Sequence, residues 1–162
     1  MLNILKKIMG ALNAGSGAPE TGLPDGQQAL AALLVRAARA SDIYDDRQIA
    51  QIDAILARRF TLPVTDADAL RLRAAAFEQR AGDTVHLTRA IKDIVPLEDR
   101  PALLEDLWSV ILADGGRHEN EDGLMRLVSN LLGLADRESA FARQKVMARE
   151  NDVPADQSPL AR

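Results

Sequence analysis

Apolar residues along this chain recur three and four positions apart, and no window alternates residue by residue as a half-buried strand would. That spacing predicts helices throughout. Leu2, Leu5, Ile8, Met9 and Leu12 share one face of a first segment, Met1–Asn13, with Asn3, Lys6, Lys7 and Asn13 opposite. A helix over Gln27–Ala40 carries Leu30, Leu33, Leu34 and Ala37. Asp45 or Asp46 can cap the next, which would bury Ile49, Ile52, Ile55 and Leu56 before Phe60-Thr-Leu-Pro63 ends it.

Thr65, with Asp68 three residues on, predicts the cap of a third helix near Asp66–Arg80, and Gly82-Asp83 leads into a shorter one around Thr84–Ile94. Val95-Pro96 breaks the chain. A long helix over Leu97–Ala113 then holds Leu103, Leu104, Leu107, Trp108, Val110 and Ile111. Leu124, Leu127, Val128, Leu131 and Leu132 form the stripe of the following helix, which Gly133 can end. Asp136 can cap a last helix through about Glu150. The organisation expected is an amphipathic segment 1–13, a Gly- and Pro-rich linker 14–26, a helical domain 27–150 and a loose tail 151–162.

Composition agrees with close-packed helices. Aromatics are 3% of 162 residues, and Ala and Leu fill the 47% hydrophobic share, whereas sheets lean on aromatic and β-branched side chains. A net charge of −4 argues against a nucleic-acid binder that works by neutralising phosphates. The absence of cysteine removes thiol catalysis and Cys-ligated metals, and two histidines are too few for an imidazole-built zinc site. The longest apolar run, Ala29–Val35, is far short of a membrane span, and Lys6-Lys7 interrupts any secretory apolar region. A cytoplasmic protein is expected. Residues 1–13 could pack on their own domain, pair with a second copy, or lie on the inner-membrane surface.

The chemistry worth weighing sits in ILADGGRHENEDG, residues 111–123. Asp114 precedes a Gly115-Gly116 pair that lets the backbone double back, and Glu121 lies about one turn into the next helix. Two convergent carboxylates suit Ca²⁺ or Mg²⁺, which take oxygen ligands from a loop and a following helix. Capping explains the same acids without a ligand, because carboxylates favour a helix N-terminus. The spacing is not that of an EF-hand, since Gly116 and His118 stand where oxygen ligands would be needed. His86 reads as a packing or surface residue, Trp108 as core, and Arg58-Arg59 as partners of a helix C-terminal dipole. No nucleophile–base–orienter set can be assembled, so an enzyme is not expected.

An echo runs through the chain. Sliding residues 35–60 onto the second elbow by 72 positions overlays Asp42 on Asp114, Ile52 on Leu124, Ile55 on Leu127 and Phe60 on Leu132. ALLVRAARASD at 32–42, IDAILARRF at 52–60 and above all the LW–V–ADG–H–E–E–L–LLGL skeleton within 86–134 resemble the TerB-like tellurite-resistance family. The resemblance spans roughly residues 27–149. It implies an all-α single bundle of about seven helices built from two pseudo-repeated hairpins, and a non-enzymatic stress-response module. It also implies acids at both elbows that bind a divalent cation. The second elbow supplies Asp114, Glu121 and His118; in the first, Gln48 or Ile49 stands where an acid is expected, leaving Asp42 and Asp45. Recognition of a basic protein partner by the same acids, or a scaffold role with no metal, are the competing readings.

Overall fold

The computed structural model describes residues 25–40, 44–81, 83–115 and 119–152. Within them the chain is all-α, with seven α-helices: α1 Gly26–Ala40, α2 Asp46–Phe60, α3 Val64–Arg80, α4 Thr84–Ile94, α5 Arg100–Leu112, α6 Glu119–Leu131 and α7 Asp136–Asn151. The amphipathic segment 1–13, the linker up to residue 24, Asp42, His118 and the tail from residue 153 lie outside the described residues.

The fold is organised around α1. Ala29 through Val35 are all fully buried, so this helix is apolar on every side and must be surrounded. It packs most extensively against α3 and α4, and also meets α2, α5 and α6. Its alanines let neighbouring backbones approach closely, while Leu30, Leu33 and Leu34 fill the gaps. α5 forms the second axis and carries α7 on its far side, where Trp108 Nε1 donates to Ser139 Oγ at 3.0 Å.

Local chemistry sets the helix ends. Asp25 caps α1 through the Gln28 N–H, and Asp83 caps α4 through that of His86. Thr61 adopts a left-handed φ of 50°, ending α2, and Gly133 does the same after α6 at φ 76°. The predicted cap at Thr65 is not used: α3 begins at Val64 behind Pro63, and Asp68 pairs with Arg71 instead. Nor is Asp136 a cap. It is the first residue of α7, and the Glu138 carboxylate accepts from the Ala135 N–H at 2.7 Å.

The long helix expected over Leu97–Ala113 is two pieces, a 3₁₀ turn at Leu97–Asp99 and then α5. Pro101 lacks the N–H that would bond the Leu97 carbonyl, so Arg100 closes the tighter turn onto it. The stripe expected on α6 is also shifted. Met125, Val128 and Leu132 are buried, whereas Leu127 is 46% exposed. The 72-residue overlay therefore sets buried Ile55 on exposed Leu127. One residue more sets Gln48, Ile52 and Ile55 on Glu121, Met125 and Val128, all six buried.

Charge pairs tie the layers where the apolar core ends. Arg36 binds Glu78, the Ala81 carbonyl and Thr84, and Arg39 binds Glu78 at 2.5 Å, joining α1, α3 and α4. Arg58 and Arg59 are not merely dipole partners: both meet Asp106 of α5 at 2.5 Å. Arg71 of α3 holds Asp53 of α2. Burial works against the Arg71 charge, but Asp53 outweighs it and raises the guanidinium above its ordinary pKa.

Asp106 is nearly buried, Arg59 largely so and Arg58 mostly exposed, which predicts a ranking. Asp106→Ala should cost about 1–3 kcal/mol by urea unfolding, with Arg59→Ala costing less and Arg58→Ala within about 0.5 kcal/mol of wild type. Equal losses for the two arginines would contradict the assignment.

Candidate functional site

The two elbows, α1 to α2 and α5 to α6, meet at one end of α5. Asp45 is the N-cap of α2, accepting from the Gln48 N–H at 3.1 Å, while the Asp45 N–H donates to Gln48 Oε1 at 3.3 Å. This reciprocal box fixes the helix start. It also turns Gln48 inward, fully buried, so that Nε2 donates to the Val110 carbonyl in the last turn of α5 at 3.4 Å. Three residues on, Gln51 Nε2 donates to Ser109 Oγ at 3.1 Å. The first turn of α2 is thus stitched along the C-terminal turn of α5.

Arg47 completes the join. Its Nη2 donates to Asp45 Oδ2 at 3.0 Å and to the Asp114 backbone carbonyl at 3.2 Å, reaching from the first elbow to the second. Asp114 is half-buried just past α5. Gly115 follows with φ 74°, a left-handed turn that an L side chain would strain. Glu121 is the third residue of α6, the position Gln48 holds in α2, and is 1% exposed. Asp122 beside it is half-buried.

The structure therefore brings Asp45 and Asp114 to the same junction, through Arg47, and buries Glu121 in the helix that leaves it. Asp42 and His118 lie outside the described residues, and among those described no cluster of three or more His, Asp or Glu could hold a metal. The elbows differ in chemistry. Asp45 is occupied at both oxygens, by a backbone cap and by a guanidinium. The Gln48 N–H hydrogen bond holds its carboxyl below the ordinary value; partial desolvation opposes this and Arg47 reinforces it. The second elbow contributes Asp114 and Glu121, two oxygen donors of the kind a hard cation takes.

Arg47 is the residue that sequence reasoning passed over, and Gln48 entered it only as the place of an absent acid. Their signal was present as Asp45-x-x-Gln48, the spacing of a capping box. Elsewhere, His86 lies exposed on the first turn of α4, its Nδ1 2.8 Å from Asp83 Oδ1. That is a capping arrangement with no nucleophile in it. Between α5 and α7 a groove of about 400 Å³ is lined by Pro101, Glu105, Phe141 and Lys145, with Phe141 65% exposed.

A family model described as "Tellurite resistance protein TerB" matches residues 27–144 of the chain. No curated protein and no solved structure gives a significant match.

The depressed Asp45 carboxyl fixes a sign for its contribution. A group whose folded pKa lies below its unfolded value stabilises the fold above that unfolded value, about 3.9 for Asp, and the contribution is lost as pH falls through the folded pKa. Asp45→Ala should therefore melt below wild type at neutral pH. The two melting temperatures should converge in acid, below the ordinary carboxyl range. A gap that persists there would show that Asp45 acts by something other than its charge.

Proposed function

The chain belongs to the TerB tellurite-resistance family, and on that premise we propose that it is a non-catalytic, cytoplasmic binding module of the tellurite stress response. Its second elbow, Asp114 and Glu121 with His118, receives a divalent cation such as Ca²⁺ or Mg²⁺. The observation that carries the reading is a deeply buried Glu121 in the first turn of α6, with half-buried Asp114 at the end of the preceding helix. Carboxylate oxygens from a loop and the helix that follows it are the donors a hard cation takes, and the α6 N-terminus favours negative charge there.

The residues fit a one-elbow site better than a symmetric one. The first elbow already holds a cation of its own, the Arg47 guanidinium, and Asp45 is committed to capping. A bound ion would supply local positive charge that orders the turn. This chain's residues would orient it: Asp114 from a carbonyl propped by Arg47, Glu121 from a buried helix. With no cysteine, direct thiol reduction of tellurium oxyanions is outside its chemistry, which supports a binding role over a detoxifying one.

A scaffold role without metal is the second reading. Phe141, exposed at the α5–α7 groove, favours it, because large exposed aromatics are over-represented where proteins meet. Among the described residues no helix is long and apolar enough to cross a membrane.

Calorimetric titration separates the readings. Wild type should bind Ca²⁺ or Mg²⁺ with a dissociation constant of about 10⁻⁴–10⁻³ M and melt higher in its presence. Asp114→Asn and Glu121→Gln should abolish the heat, and Asp45→Asn should leave it. No heat and no melting shift for wild type at millimolar metal would refute the cation reading.

A further inference from the structure

At the end of α4 the chain leaves an apolar corner open to solvent. Ile94 is 44% exposed and Leu97 is 54% exposed, on either side of buried Val95. Asp93, Glu98 and Asp99 are exposed around the corner, and none of the three forms an ion pair among the described residues. Lys92 and, one turn before Asp93, Arg89 are exposed cations of the same helix, while Arg100 is committed to the Val95 and Leu132 carbonyls.

The first helix begins at this corner. Gly26, the first residue of α1, lies so close to Ile94 that a Cβ on it would fall 2.5 Å from Ile94 Cγ2. Residues 1–24 therefore join the domain next to Ile94, while Leu97, three residues on, lies toward Gly133 after α6. Their first thirteen carry the stripe Leu2, Leu5, Ile8, Met9 and Leu12, with Lys6 at the edge of the polar face, one turn from Leu2. As a helix that segment spans about 20 Å, enough to cover both side chains. Lys6 can bury its stem on the apolar edge and set its ammonium among the acids of the rim.

We propose that residues 1–13 fold back as an amphipathic helix onto the Ile94–Leu97 corner of their own domain. Two observations select this occupant over a second copy or a lipid surface. The connection from residue 14 to 25 is Gly- and Pro-rich and a dozen residues long, with an end-to-end distance of about 20 Å as a flexible coil. So short a tether holds the segment at an effective concentration of order millimolar, above that of any free copy in dilute solution. The acidic rim adds complementarity for Lys6 and repels an anionic bilayer.

Because the chain has no cysteine, introduced thiols report alone. The test uses the full chain with Leu5→Cys and Leu97→Cys and a short bismaleimide, against a control pairing Leu5→Cys with Leu72→Cys on α3. Both partner positions are exposed, so the fold tolerates them. Intrachain crosslinking should be at least about tenfold faster for the Leu97 pair and independent of protein concentration. Lys6→Glu should slow it. Equal rates for the two pairs would overturn the proposal. So would crosslinked dimers that grow with concentration, which would make a second copy the occupant. Co-sedimentation with phosphatidylserine vesicles, with the Leu97 rate reduced to the control's, would overturn it in favour of a membrane.

Discussion

The complete burial of α1 is the constraint on which the rest of the molecule depends. A helix apolar on all faces from Ala29 to Val35 cannot lie on a surface, so its partners have to enclose it. α3 and α4 take most of its circumference, and α2, α5 and α6 close the remainder. With α2 and α6 both held against α1 and α5, the turns that precede them end up at one pole of the bundle. The functional geometry is in that sense a by-product of enclosing one helix.

Polar chemistry then works where enclosure stops. Arg36 and Arg39 share Glu78, Arg58 and Arg59 share Asp106, and Arg71 holds Asp53, so α1–α3, α2–α5 and α2–α3 are each clamped at an edge by arginine. Such clamps contribute modestly where they are exposed, but they fix register between helices whose apolar contacts alone would permit sliding. At the elbow pole the same device makes the two halves unlike. Arg47 neutralises the first elbow from within, and Gln48 replaces charge by an amide that reaches Val110. The second elbow carries Asp114, Glu121 and Asp122 among its described residues.

Much of this was legible in the sequence, and for identifiable reasons. Prolines 63 and 96, glycine 133 and the capping aspartates 45 and 83 marked helix ends through strictly local chemistry. Trp108 and the leucines of α5 declared themselves as core by periodicity. What failed was anything that depends on a distant neighbour. The pairing of Arg59 with Asp106 joins residues 47 positions apart, which no helical pattern encodes. Leu127 belongs to the apolar series of α6 yet faces solvent, because α6 packs against α1, α4, α5 and α7 and its buried residues are Met125, Val128 and, just past its end, Leu132. The elbow overlay slipped by one residue for the same reason: apolar letters aligned well at a register that burial rejects. Gln48 or Ile49 stands where the resemblance leads one to expect an acid, and the fold makes Gln48 a buried link from α2 to the last turn of α5.

Hydrogen exchange followed residue by residue, with and without millimolar Ca²⁺, tests most directly the claim that a rigid enclosed helix presents a cation-responsive elbow. Ala29–Ala38 amides should exchange only by global unfolding. Amides from Ala113 to Gly123 should exchange faster without the ion and slow selectively when it is added. Slow exchange at the elbow from the start, unaltered by Ca²⁺ or Mg²⁺, would contradict that claim, as would rapid exchange within α1.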